Sequence, residues 1–234
     1  MLIKVCGMRE AENIREVAAL GVDMMGFVFW PQSPRFVQMI SAQAGIIPDY
    51  SEERLRQSQG NPVVTGSLES QPKRVGVFVD DMPQNIVTRV FNYSLDYIQL
   101  HGEEPRETCE NLRLTLDPDI HPGIKIIKAI SVSSAEDFKK CAAYIGAVDM
   151  FLFDTRCKTV GGSGEQFDWS ILRQYDGGVP FLLSGGMGPD DATRVKALRH
   201  PMFAGIDLNS RFEVEPGVKD VVKLRDFIQT VREG

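Results

Sequence analysis

Residues 180–190 read Pro180-Phe-Leu-Leu-Ser-Gly-Gly-Met-Gly-Pro-Asp190: a short apolar run, a glycine turn and a proline that opens the next segment. Pro180–Ser184 has the length and apolar content of a buried strand. Gly-Pro ahead of Asp190–Leu198 is a helix entry, because proline at the first helical position gives up no intrahelical amide bond. The same strand–turn–helix unit recurs. Strands are predicted at Leu2–Cys6, Met24–Phe29, Arg74–Val79, Asp96–Leu100, Ile124–Ile130, Val148–Asp154, Pro180–Ser184 and Phe203–Leu208. Helical spacing runs through Glu10–Leu20 (Ile14, Val17, Ala18, Leu20), Pro83–Tyr93 (Ile86, Val87, Val90, Phe91) and Lys219–Val231 (Val222, Leu224, Phe227, Ile228, Val231). Strand-length runs separated by helix-length connectors predict parallel strands with crossover helices. Eight such units predict an α/β fold closed into a (β/α)8 TIM barrel. An open doubly wound sheet is the structural alternative.

The 234 residues suit one barrel domain over 1–234, since α/β barrels run to about 200–250 residues. An extended connector at about 38–73 interrupts the pattern. It is rich in Gly, Pro, Ser and Gln (Ser58-Gln-Gly-Asn-Pro62), with one short helix expected around Ser51–Gln57. A connector this long is either an excursion over the active site or a mobile insertion. The net charge of −6 and the lack of a Lys/Arg cluster argue against nucleic acid. No apolar run approaches about 18 residues, so no membrane partner is expected. The chain enters a strand pattern at once, without a signal-peptide pattern, and a cytoplasmic location is expected. Cys6, Cys109, Cys141 and Cys157 form no CxxC pair, and His101, His121 and His200 are scattered. Free thiols and no metal site follow. Cys109 and Cys141 fall in expected helices and read as structural.

Polar residues collect where strands end. Side chains alternate faces along a strand, so Lys4 and Cys6 share one face and Ile3 and Val5 the other. Gln99 and His101 pair in the same way, Asp154 closes an apolar run, and Asp207 opposes Ile206 and Leu208. Cys6, Gln99, His101, Asp154, Gly185, Gly186 and Asp207 therefore sit at C-terminal strand ends, where such barrels carry their active sites. Gly185 and Gly186 let backbone N–H groups approach an anion, and the helix after them adds a favourable dipole. Asn209 and Ser210, after the eighth strand, add further donors; the loops after strands seven and eight are the usual phosphate site of such barrels. Gly161-Gly-Ser-Gly164 is not a dinucleotide fingerprint and reads as a flap that closes over substrate.

Together these segments resemble the phosphoribosylanthranilate isomerase family. The resemblance rests on Ile3-Lys-Val-Cys-Gly7, Gly26-Phe-Val-Phe-Trp-Pro-Gln-Ser-Pro-Arg-Phe-Val37, Val75-Gly-Val-Phe-Val79, Ile98-Gln-Leu-His-Gly102 and Phe153-Asp-Thr155. It continues through Gly161-Gly-Ser-Gly-Glu-Gln-Phe-Asp-Trp169, Leu183-Ser-Gly-Gly186, Gly205-Ile-Asp-Leu-Asn-Ser210 and Pro216-Gly-Val-Lys-Asp220, in the family's order. It implies a cofactor-free Amadori rearrangement of N-(5-phosphoribosyl)anthranilate; the oligomeric state, monomer or homodimer, stays open. It implies a general base at Cys6, a general acid at Asp154, and Arg35 near the anthranilate ring and carboxylate. It places the phosphate at Gly185, Gly186, Asn209 and Ser210; Gln99, His101 and Asp207 line the pocket. An acid that protonates the ribose ring oxygen must be held protonated near neutral pH, which burial of Asp154 favours. A thiol base needs its pKa lowered from about 8.5, and Lys4 on the same strand face is the candidate cation.

Two departures stand out. The family's strand-eight loop often reads Ser-Ser-Gly-Val-Glu; here it is Asn209-Ser-Arg-Phe-Glu213, with Arg211 available for an added phosphate contact. The 38–73 connector is longer than the family's. Rival readings are another phosphate-binding barrel enzyme, such as indole-glycerol phosphate synthase or a ribulose-phosphate epimerase, and a non-catalytic phosphosugar-binding protein. The first two expect an inward lysine acid or paired aspartates with a metal; the third expects a lost acid or base.

Overall fold

The computed structural model describes residues 1–38, 71–117, 119–155 and 168–233. Eight parallel strands close into a barrel in sequence order. They are β1 (Leu2–Cys6), β2 (Met24–Val28), β3 (Lys73–Phe78), β4 (Tyr97–Leu100), β5 (Lys125–Val132), β6 (Met150–Thr155), β7 (Phe181–Ser184) and β8 (Phe203–Leu208). All eight expected strands form, each end within two residues of its expected place, and β8 pairs with β1 to complete the ring. The open-sheet alternative is excluded. Residues 39–70, with the helix expected at Ser51–Gln57, lie outside the described residues, as do Cys157 and the flap Gly161, Gly162, Ser163 and Gly164.

Helices α1 (Ala11–Ala18), α2 (Pro83–Tyr93), α3 (Arg106–Leu116), α4 (Ala192–Ala197) and α5 (Val221–Arg232) cover the outside. Ile3, Val5, Ile14, Val17, Leu224 and Phe227 belong to one cluster between strands and helices. Met24, Val75, Ile127, Leu152 and Leu182 fill the barrel itself. Burying an aliphatic side chain stabilises by about 1.5–3 kcal/mol, so these two layers supply most of the driving force.

Two connectors are 3-10 rather than α-helical, Ala135–Tyr144 and Trp169–Gln174. Their inward side chains recur every third residue: Phe138, Cys141 and Tyr144 in one, Trp169, Leu172 and Tyr175 in the other. A spacing of three stacks side chains on one face of a three-residue turn, whereas α2 and α5 use the mixed spacing of an α-helix. Cys141 therefore lies in a 3-10 helix and Cys109 in α3, both buried. A second correction concerns Lys219. The helix expected from Lys219 begins at Val221, capped by the Asp220 carboxylate. Lys219 instead ends a small hairpin of β9 (Glu213–Glu215) and β10 (Val218–Lys219).

At the N-terminal end of the barrel one device appears three times. Asp23, Asp96 and Asp149, just ahead of β2, β4 and β6, each accept a backbone N–H from the preceding strand: Ile3, Arg74 and Ile126, all at 2.8 Å. The surrounding sequences, Val22-Asp-Met24, Leu95-Asp-Tyr97 and Val148-Asp-Met150, repeat with them. This stitching lies at the opposite end from the site and sets strand register there.

Candidate active site

β1 and β8 bring the first pair together. Lys4 lies beside Asp207 in the parallel register, and its Nζ donates to Asp207 Oδ1 at 2.9 Å with both side chains buried. Cys6 sits two residues further toward the barrel mouth, packed with Val28, Val77 and Trp30. Its register partner on β2 is Gly26, and a Cβ there would stand 2.6 Å from Cys6 Sγ. Only glycine leaves room for the thiol.

From Asp207 the polar groups continue around the mouth. Ser184 Oγ donates weakly to Asp207 Oδ2 at 3.5 Å, and Ser184 is the register partner of Asp154 on β6. Asp154 Oδ2 is 3.6 Å from His101 Nε2, and His101 Nδ1 is 2.9 Å from Gln99 Nε2. If the carboxamide donates to Nδ1, the imidazole proton sits on Nε2 and faces Asp154. Gln99 Oε1 is buried with no hydrogen-bond partner among the described residues, which marks a polar pocket wall rather than plain core. Lys128 Nζ secures the loop after β4, donating to Gly102 O at 2.6 Å and Glu104 Oε2 at 2.9 Å.

The electrostatics refine the sequence reading of Cys6. Burial pushes the thiol pKa up; Lys4 and Lys219 pull it down, Asp207 adds to the rise, and the net direction is upward. Lys4 thus acts in the expected sense, but desolvation wins, so the expected lowering is not found. Burial alone would lower the Lys4 pKa, yet Asp207 and Cys6 overcome it and hold the ammonium charged.

A second cluster lies beside Cys6, on the loops after β2 and β8, the strands that flank β1; a Cβ on Gly7 would stand 2.5 Å from Arg35 Cδ and 2.8 Å from Asn209 Oδ1. Arg35 grips Glu213 through paired donors: Nε to Oε1 at 2.8 Å and Nη2 to Oε2 at 2.5 Å. Glu213 Oε1 also accepts from Lys219 Nζ at 2.6 Å and from Gly217 N at 3.2 Å. Lys219 Nζ donates in turn to Asn209 Oδ1 at 2.8 Å. Burial raises the Glu213 pKa, but hydrogen bonds from Arg35 and Lys219 outweigh it and hold the carboxyl below its ordinary value. Lys219 was not legible as a site residue. A lysine at a helix entry is ordinarily a solvated charge; here contacts with Asn13, 206 residues away in sequence, and with Glu213 and Asn209 accompany its burial.

The two anion loops meet. Gly185 has φ +105°, and a Cβ there would fall 2.0 Å from Thr155 O, so the turn after β7 requires glycine. Gly186 follows at φ +62°. Asn209 precedes a short turn, Ser210–Phe212, and Arg211 lies against Gly188, its Cδ 2.9 Å from where a Cβ would stand. The Asn209 side chain is committed to Lys219, which leaves backbone groups and the exposed Ser210 to face a ligand. Among the described residues no group of three or more His, Cys, Asp or Glu side chains is arranged to hold a metal.

Comparisons with known proteins bear on the family and the fold. The family model for N-(5'-phosphoribosyl)anthranilate isomerase matches residues 3–230. The enzyme of that name from Parabacteroides distasonis is 48% identical over 231 residues, 99% of this chain and 93% of the relative. That from Phocaeicola vulgatus is 40% identical over 100% of this chain and 98% of the relative. The crystal structure of the Thermotoga maritima phosphoribosyl anthranilate isomerase superposes with a TM-score of 0.74 at 30% identity, covering both chains fully. Another structure of such an isomerase, bound to reduced 1-(o-carboxyphenylamino)-1-deoxyribulose 5-phosphate, superposes at 0.71 with 27% identity and full coverage of both chains. On the closed barrel, the polar groups at its mouth and these likenesses, the chain belongs to the N-(5'-phosphoribosyl)anthranilate isomerase family.

Proposed function

We propose that Cys6 and Asp154 carry the family's isomerase reaction as general base and general acid. Asp154 gives its proton to the ribose ring oxygen. The C1'–O bond breaks as the anthranilate nitrogen pushes in its lone pair, and an open-chain protonated imine forms. The imine draws electrons from the neighbouring carbon, and the Cys6 thiolate takes the proton from C2'. The resulting enol-amine ketonises to 1-(2-carboxyphenylamino)-1-deoxyribulose 5-phosphate. No cofactor is written into this sequence of steps. Gly185, Gly186, Asn209 and Ser210 receive the phosphate, Arg35 faces the anthranilate carboxylate, and Gln99, His101 and Asp207 line the pocket between.

The observation that carries this reading is the single polar arc from Lys4 and Cys6 through Asp207 and Ser184 to Asp154 and His101. It supplies a thiol and a carboxyl on separate strands of one mouth. We further propose a single-domain enzyme, cytoplasmic and monomeric or dimeric. In support, no helix among the described residues is long and apolar enough to cross a membrane. The test follows the loss of anthranilate fluorescence as purified protein turns over the substrate. Cys6→Ala and Asp154→Ala each should lower kcat by about 10²–10⁴. Turnover at the parent rate in either variant overturns the assigned role.

A further inference from the structure

We propose that Glu213 is a positioning residue that, with Lys219, locks Arg35 to the phosphate loop, so that the two anion-gripping ends of the site behave as one unit. The inference rests on the placement of the anthranilate carboxylate at Arg35 and of the phosphate at the Asn209–Ser210 loop. Its own ground is the connectivity. Arg35 comes from the loop after β2 and Glu213 from β9, 178 residues later. Between Arg35 and Asn209 there is a continuous chain of four short contacts: Arg35 Nη2 to Glu213 Oε2, Arg35 Nε to Glu213 Oε1, Lys219 Nζ to Glu213 Oε1, and Lys219 Nζ to Asn209 Oδ1. The hub is hidden: the Glu213 side chain is 5% exposed and that of Lys219 0%, so neither is placed to meet substrate directly. The backbone of Lys219 is pinned as well, because Asn13 of α1 donates to its carbonyl and accepts from its amide. Gly217 N adds a fixed donor to Glu213 from the hairpin turn.

A bidentate carboxylate restrains a guanidinium plane far more than a single bond does. Arg35 is therefore held in one orientation before ligand arrives, which reduces the ordering cost of binding. The same carboxylate fixes the ammonium that holds Asn209, so displacement at one end is felt at the other.

Charge alone makes the opposite forecast, and this separates the two explanations. The cluster of Arg35, Lys219 and Glu213 carries two positive charges and one negative. Glu213→Gln keeps the shape and removes the negative charge. If the cluster served only as a positive field, anions would bind this variant more tightly at a pH low enough to keep Lys219 charged, since burial opposes that charge and Glu213 favours it. If Glu213 positions the donors, anions bind it more weakly despite the added positive charge.

The experiment measures inhibition of turnover by inorganic phosphate and, separately, by anthranilate. In Glu213→Gln both inhibition constants should rise about tenfold, and KM with them, while kcat stays within a factor of about three. Arg35→Lys provides a second reading should Glu213→Gln fold poorly. It keeps the charge, loses the paired grip on Glu213, and should weaken inorganic phosphate as well as anthranilate. Unchanged or tighter inhibition by either probe in Glu213→Gln overturns the proposal, as does phosphate inhibition unaffected by Arg35→Lys. A parent protein inhibited by neither probe overturns the site assignment itself, and this inference falls with it.

Discussion

At Cys6 two opposing effects meet within a few ångströms. The thiol is buried, which favours its neutral form, and Lys4 favours the thiolate. Burial prevails, so in the empty site the proposed base is mostly protonated near neutrality. The thiolate fraction grows with pH, and kcat/KM should rise as pH increases past neutrality. Lys4→Met removes the nearest cation and should push the thiol further up, read as slower iodoacetamide alkylation of Cys6 at a given pH. An unchanged alkylation profile would remove Lys4 from the mechanism. The single substitution also strands Asp207 as a buried charge, at a cost of about 3–5 kcal/mol. Adding Asp207→Asn should restore much of the stability without restoring the alkylation rate, which separates electrostatics from folding. Much of this site could be read from strand alternation, because Lys4, Cys6, Gln99, His101, Asp154 and Asp207 all take their facing from a local rule. The Glu213–Lys219 hub could not. Its burial depends on Asn13 and Arg35, contributed by distant segments, and no local pattern encodes that meeting.

The elements repeat the contrast. Strand positions were legible because each is a short apolar run ended by turn residues. The sequence reading places Cys141 in a helix without resolving its type and does not single out Trp169–Gln174, because neither stretch carries the mixed spacing of an α-helix. Phe138, Cys141 and Tyr144, and Trp169, Leu172 and Tyr175, recur at intervals of three, and that interval was the available signal. The hairpin of β9 and β10 is too short to show periodicity at all. The stitching aspartates allow a test at this scale. Asp96 Oδ2 accepts the Arg74 amide at 2.8 Å and Oδ1 accepts from Lys73 Nζ at 2.9 Å, at the barrel end remote from the site. Asp96→Ala leaves the Arg74 amide without its partner and should cost about 1–3 kcal/mol in urea unfolding. Its kcat and KM should match the parent. A large fall in kcat with unchanged stability would mean that the two ends of the barrel are coupled in a way the strand stitching does not describe.

For the whole molecule, a net charge of −6 coexists with a local excess of cations around β1 and its flanking loops, where Lys4, Arg35 and Lys219 outnumber Asp207 and Glu213. Overall charge argues against a nucleic-acid partner but cannot locate a ligand; the arrangement of the strands points to where one would sit. The core also fixes how the fold responds to alkali. Burial pushes the Cys109 thiol up to about 11 and the Cys141 thiol up to about 12. In the unfolded chain both return to about 8.5. Below that pH each is neutral in either state, and the full stabilisation is present. As pH rises past about 8.5 the unfolded chain gains ionised thiols that the folded chain cannot match, so stability falls until the folded values are reached. The double substitution Cys109→Ala with Cys141→Ala should start lower, because two small cavities are left in the core. It should then lose Tm less steeply than the parent between about pH 8.5 and 10.5. Every other titratable group is common to both proteins and cancels in the difference, so the change in slope isolates the two thiols. Parallel Tm curves would show that Cys109 and Cys141 ionise in the folded barrel as they do in water, and that these positions are wetter than their burial in the core cluster implies.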